Sequence, residues 1–188
     1  FRFFSYSPSA LVITLPASRL DGLELSSISG DIRILHPIQG STLVARSTSG
    51  EIDFLTLTAD QSIKLSSISG SINGSEVAGK RSVELMSTSG SIEVQSVEAQ
   101  DANLKSISSS IEAEVKILDG GSLNAASTSG SVQIDLKQSS NLKIQASSTS
   151  GQIVFNDKDM GKSAAFETGN ARNKVNLSTV SGSIKLWY

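Results

Sequence analysis

The stretch Leu23-Glu24-Leu25-Ser26-Ser27-Ile28-Ser29-Gly30-Asp31-Ile32 decides the fold, because it returns along the chain at intervals near 20 residues. Its last copy is Val175-Asn176-Leu177-Ser178-Thr179-Val180-Ser181-Gly182-Ser183-Ile184. The glycine stands at Gly30, Gly50, Gly70, Gly90, Gly130, Gly151 and Gly182, and Ser109 takes its place in Lys105-Ser106-Ile107-Ser108-Ser109-Ser110-Ile111. Successive spacings are 20, 20, 20, 19, 21, 21 and 31, so the last interval holds an insertion of about ten residues within 156–172.

Aligned on that glycine, the copies resolve into columns. Seven residues before it stand Leu23, Leu43, Ile63, Val83, Ala102, Leu123, Ile144 and Val175. Five before it stand Leu25, Ala45, Leu65, Leu85, Leu104, Ala125, Ala146 and Leu177, and two after it Ile32, Ile52, Ile72, Ile92, Ile111, Val132, Ile153 and Ile184. Polar residues such as Glu24, Lys64, Glu84 and Gln145 lie between the first two columns. Period-two alternation of this kind marks strands with one buried face. A helix is excluded by the period and by the wealth of Ser, Gly and β-branched residues. The fold class is therefore all-β: a single parallel β-solenoid of about eight coils, each a strand, a Ser-x-Ser-Gly corner and a second strand.

At the corner the inward parity runs through seven, five, three and one before the glycine and resumes two after it. One residue is skipped, so a backbone conformation that a side chain would resist is expected at the glycine. Two serine columns flank the corner. Stacked in register at about 4.8 Å they are expected to form hydroxyl ladders. Between them runs the β-branched row Ile28, Thr48, Ile68, Thr88, Ile107, Thr128, Thr149 and Val180. Strict alternation turns this row outward as a contact ridge, whereas a bulge would turn it inward.

Composition narrows the function classes. Lys and Arg number 16 against 18 Asp and Glu, a formal net charge of −2, so no basic face invites nucleic acid. Cysteine is absent, which removes disulfides, thiolate metal sites and cysteine nucleophiles. No apolar run is long enough to span a bilayer as a helix. The opening Phe1-Arg2-Phe3-Phe4-Ser5-Tyr6 is too short for a signal peptide. A first residue other than Met fits a domain excised from a longer protein, so any targeting segment is expected outside this chain.

The recurrent Leu-x-Leu-x-Ser-x-Ser-Gly-x-Ile pattern of Leu23 to Ile32, with the opening Leu11-Val12-Ile13-Thr14-Leu15-Pro16-Ala17, resembles the adhesin-like family of unknown function of the DUF4097 type. The likeness covers almost the whole chain. It implies a β-helix of right-handed sense, found in bacterial envelope or surface-associated proteins and in fungi, with no established catalytic residues to carry over.

Candidates for chemistry are few. His36 is the one histidine, beside Pro37 in a turn, and has neither a second histidine nor a cysteine to build a triad or a metal site. The column three past the glycine reads Arg33, Asp53, Asn73, Glu93, Glu112 and Gln133, which places Arg33 beside Asp53 and Glu93 beside Glu112 in neighbouring coils. Asp31 and Glu51 stack one past the glycine. Such carboxylates are the only basis for a polysaccharide-cleaving site. Asn156-Asp157-Lys158-Asp159-Met160-Gly161 lacks the closing Glu of a calcium loop and reads as a polar turn. Asn73 and Asn176 lie in Asn-x-Ser sequons open to glycosylation on a secretory route. No catalytic residue, metal or cofactor is expected.

The chain divides into a capping strand over 1–20, regular coils over 21–155, an insertion loop over 156–172, and a last coil with its cap over 173–188. Trp187 and Tyr188 are expected over the end of the rod. The functional expectation is a non-enzymatic scaffold for adhesion or assembly, extracellular, in the cell envelope or membrane-anchored. Its partner would be a cell-surface protein or a polysaccharide. The alternatives are a polysaccharide-binding or polysaccharide-cleaving β-helix and a filament or homo-oligomer joined through the solenoid ends.

Overall fold

The computed structural model describes residues 4–7, 10–13, 19–137 and 141–188, with side chains from residue 19 onward. Among them every regular element is a strand. β1 (Phe4–Ser7) and β2 (Ala10–Ile13) pair antiparallel in a small sheet of their own. The expected capping strand is thus half of a hairpin, and Thr14, Leu15 and Pro16 lie outside the described residues.

The solenoid proper begins with β3 (Leu20–Ser27), β4 (Ile32–Ile34), β5 (Ile38–Ser47), β6 (Ile52–Ser67), β7 (Ile72–Ser87), β8 (Ile92–Ser106), β9 (Ile111–Ser127) and β10 (Val132–Leu136). Each full turn makes three ladder runs against the next. Ile52–Phe54 pairs with Ile72–Gly74, Thr56–Ala59 with Glu76–Gly79, and Ser62–Ser67 with Ser82–Ser87, all parallel. The middle run adds a second pair of core columns after the +2 position. Leu57, Val77, Val97 and Val115 are at most 3 % exposed, as are Ala59, Ala99 and Ile117. Among the described residues this run follows the first five corners, so the eight corners belong to about six turns.

The corner is held by one side chain doing two jobs. The hydroxyl of Ser67 accepts the Gly70 N–H at 2.9 Å and donates to the Gly50 carbonyl of the coil below at 3.2 Å. Ser87, Ser106, Ser127, Ser148 and Thr179 repeat the pair of bonds, and all are buried. The ladder therefore links serine to backbone, not serine to serine. The other serine column, Ser49, Ser69, Ser89 and their equivalents, faces solvent. Inward parity ends at the buried serine three before the glycine, and two consecutive outward residues follow.

The corner glycines do not adopt positive φ. Their need is space: a Cβ at Gly50, Gly70, Gly90, Gly130, Gly182 or Gly151 would fall on the corner carbonyl of the neighbouring coil. Ser109, which does carry a Cβ, is half-exposed, and its hydroxyl donates to the Ser89 carbonyl at 2.7 Å.

The chain then departs from sequence order. β11 (Leu142–Ser148) and β12 (Ile153–Phe155) form the outermost coil, leaving one slot empty above β9 and β10. The insertion is no loop: β13 (Lys158–Gly161) and β14 (Ser163–Glu167) run back antiparallel along β12 and β11 and cover the open edge of that coil. β15 (Asn173–Thr179) and β16 (Ile184–Trp187) finally enter the empty slot, parallel to both neighbours. The last coil in sequence is the last but one in space. Trp187 and Tyr188 therefore do not cap the rod: Trp187 pairs in register with Asp135, and the Tyr188 ring meets Phe155 edge-on at 6.3 Å.

Candidate functional site

Two long surface features run along the axis, one on each side of the corner. The first is a groove of about 920 Å³ where the first run of each turn bends into the second. Its floor and walls repeat coil by coil: Leu35; Asp53 and Leu55; Asn73 and Ser75; Glu93 and Gln95; Glu112 and Glu114; Gln133 and Asp135. Trp187 closes the far end. Gly74 belongs to the inward column of Ile34, Phe54, Val94, Ala113 and Ile134 behind the groove, where a Cβ would fall on the Phe54 ring. Phe54 lies over the gap and is 6 % exposed.

Electrostatics divide this groove in three. At one end Arg33 bridges Asp31 at 3.0 Å and Asp53 at 3.5 Å, and the Asn73 amide donates to Asp53 at 3.0 Å. At the other, Lys137 meets Glu114 at 2.6 Å and Asp135 at 3.9 Å. The Glu114 hydrogen bond raises the Lys137 pKa above its ordinary value. Between them Glu93 and Glu112 are register neighbours. Glu93 accepts the Ser91 hydroxyl at 3.0 Å, and among the described residues neither glutamate meets a cation. Asp31 and Glu51 belong elsewhere, since Asp31 accepts the Glu51 backbone N–H at 3.0 Å on the corner. The four carboxylates do not converge, and no group of three metal-ligating side chains occurs among the described residues.

The second feature is the β-branched row, and it faces outward. Ile28, Ile68, Ile107 and Val180 are 79, 53, 52 and 47 % exposed, with exposed threonines between them. Beside it runs a shallow groove of about 670 Å³, floored by the buried serines and walled on its far side by Ser66, Met86, Lys105, Ala126, Ser178 and Ser147.

These features stand on a frame that the comparisons recognise. A family model described as Toastrack DUF4097 matches residues 1–187. The chain belongs to the Toastrack family. No curated protein and no solved structure matches it.

The remaining candidates of this Toastrack domain are dispersed. His36 is exposed between β4 and β5. Asn73 spends its amide on Asp53 inside the first groove, whereas Asn176 is exposed on β15. In the hairpin, Asn156 and Asp157 take positive φ of 45° and 63° and form a two-residue turn, with Phe155 opposite Lys158. Asp159 accepts the Gly161 N–H at 2.8 Å, which with Gln152 holds its carboxyl below the ordinary range. The corner residues Gly30 to Gly182 are structural. Sequence reasoning missed the column five past the glycine, with Leu55, Glu114 and Asp135, for want of a constant residue type. It missed Trp187 because that residue joins the groove only through the out-of-order coil.

Proposed function

We propose that this domain is a non-enzymatic adhesion scaffold that holds an extended polysaccharide strand along the first groove. The observation that carries the reading is the make-up of that groove. It offers planar carboxylate and amide side chains, Asn73, Glu93, Gln95, Glu112 and Gln133, at the regular spacing of the coils, with Trp187 at one end. A polyhydroxylated chain presents donors and acceptors repetitively along its length, and an aromatic ring suits the apolar face of a sugar. The groove is an open trough, and its one uncompensated acidic pair, Glu93 and Glu112, is exposed. An acid held in an enclosed apolar pocket, which glycoside cleavage uses to raise a pKa, has no counterpart there.

Binding to a panel of acidic, neutral and amino-sugar polysaccharides, followed by calorimetry on the best, tests this reading. Glu93→Gln with Glu112→Gln and, separately, Trp187→Ala should each weaken binding by roughly ten-fold or more, without change in the melting curve. Absence of binding to every polymer, or release of shortened sugars, would refute it. An end-to-end filament is not favoured at the β13–β14 end. There the parallel edge is covered by short antiparallel strands carrying Lys158, Asp159 and Glu167.

A further inference from the structure

The out-of-order coil changes the pattern on the β-branched ridge. In sequence the row ends Thr128, Thr149, Val180. In space it ends Thr128, Val180, Thr149, as the backbone bonds show: the Ser181 N–H donates to the Thr128 carbonyl and the Ser150 N–H to the Val180 carbonyl. The same bonds order the rest, Ser49 to Ile28, Ser69 to Thr48, Ser89 to Ile68, Ser108 to Thr88 and Ser129 to Ile107. The ridge therefore reads Ile28, Thr48, Ile68, Thr88, Ile107, Thr128, Val180, Thr149. A large aliphatic and a threonine alternate without a break, so the aliphatics recur every second coil, about 9.6 Å apart.

We propose that this ridge is the interface of an antiparallel two-fold dimer of the chain. A row with an even number of alternating stations is self-complementary when one copy is reversed against the other. With full overlap Ile28 meets Thr149 of the partner, Thr48 meets Val180, Ile68 meets Thr128, and Thr88 meets Ile107. Every bulky side chain faces a smaller one, as interdigitated strand faces require. Parallel pairing in full overlap sets isoleucine on isoleucine. The order given by the sequence alone would set Ile28 against Val180 and Thr48 against Thr149, so the displaced coil is what completes the match.

The surroundings suit the same occupant. The shallow groove flanks the ridge at six of its eight stations, Ile68 to Thr149, and its small side chains let the two ridges approach each other. Its lining contains one charged side chain, Lys105, and charge is sparse at the centre of protein interfaces. Eight coils by about five residues of strand make a face of roughly 38 by 15 Å. Two such faces remove on the order of 1,100 Å² from water, just above what a specific interface needs.

Analytical ultracentrifugation of the full chain should show a concentration-dependent monomer–dimer equilibrium. Ile68→Lys and Ile107→Lys, at exposed sites that leave the melting curve unchanged, should each raise the dissociation constant about 30-fold or more. The absence of native cysteine makes the register testable. Under mild oxidation an equimolar mixture of Ile28→Cys and Thr149→Cys chains should form a mixed disulfide, as should Thr88→Cys with Ile107→Cys. Ile28→Cys alone should not, because the two-fold places its copies about 34 Å apart along the axis, beyond disulfide reach. A wild-type chain that stays monomeric at several hundred micromolar overturns the proposal and leaves the ridge to a different partner. Self-linking of Ile28→Cys overturns it in favour of a parallel pair. Neither result touches the polysaccharide groove, which lies on another face.

Discussion

At the scale of single residues, the corner separates two reasons for a glycine that a sequence cannot tell apart. Gly70 is needed because the Gly50 carbonyl occupies the position its Cβ would take. Gly30 carries the same motif, but its Cβ would meet only the Ser27 hydroxyl at 3.4 Å. Gly70→Ala should therefore destabilise the domain by about 1–3 kcal/mol or more, as overpacking does, while Gly30→Ala stays within about 0.5 kcal/mol. Urea melts of the two variants check this, and equal costs would show that backbone conformation governs after all. The buried serine follows a similar logic. Ser87→Ala leaves the Gly90 N–H and the Gly70 carbonyl without their side-chain partner, at a cost of about 1–3 kcal/mol. Ser87→Thr should cost clearly less, because Thr179 already makes the same two bonds in its own coil. The apolar columns were legible because burial leaves a periodic trace. The direction of Ile68 was not, since alternation breaks at a corner whose two outward residues follow from the close approach of backbones.

At the scale of elements, the segment 156–172 shows how a polar stretch of irregular composition can hide two strands. Neither Lys158–Gly161 nor Ser163–Glu167 has a regular buried face, because these strands lie along an edge and do not enclose a core. What is legible in hindsight is the turn. Asn156 and Asp157 sit at the two positive-φ positions of a two-residue hairpin, where Asn-Gly is the best pair. Asp157→Gly should then raise the melting temperature slightly, and a fall would contradict the turn assignment. Asp159 adds a pH dependence of known sign. Its carboxyl titrates lower in the fold than in the unfolded chain, so its contribution is present above the unfolded value and is lost as pH falls through the folded one. As pH falls below about 4 the edge strands of the native chain should loosen toward the level of Asp159→Asn, whose edge lacks that dependence. Amide exchange of 158–167 against pH reads this directly.

At the scale of the whole molecule, the displaced coil sets the order in which stability is lost. A solenoid is held by nearest-neighbour contacts, so each coil depends on the two that flank it. Among the described residues the outermost coil, 142–155, is joined to the body of the rod through 173–187, which pairs with β9 and β10 on one side and β11 and β12 on the other. That bridge is tied at both ends. The buried Asn173 accepts the N–H groups of Gly120 and Gly121 at 2.8 and 3.2 Å, and the Tyr188 ring packs on Phe155 and Phe166. Removing Trp187 and Tyr188 should lower the melting temperature by uncovering those two rings. Removing 173–188 should do something different in kind. The coils up to residue 136 keep all their ladders with one another, whereas 142–167 has no partner left and 132–136 becomes a bare parallel edge. The shortened chain should keep most of its β circular dichroism, become open to protease within 137–172, and aggregate at concentrations where the full chain does not. If it instead unfolds completely, the rod is one cooperative unit and the closing strand holds far more than its own neighbours. If 142–155 stays protected, that coil has moved down into the vacant slot. The identical Ser-x-Ser-Gly corners would permit such a move.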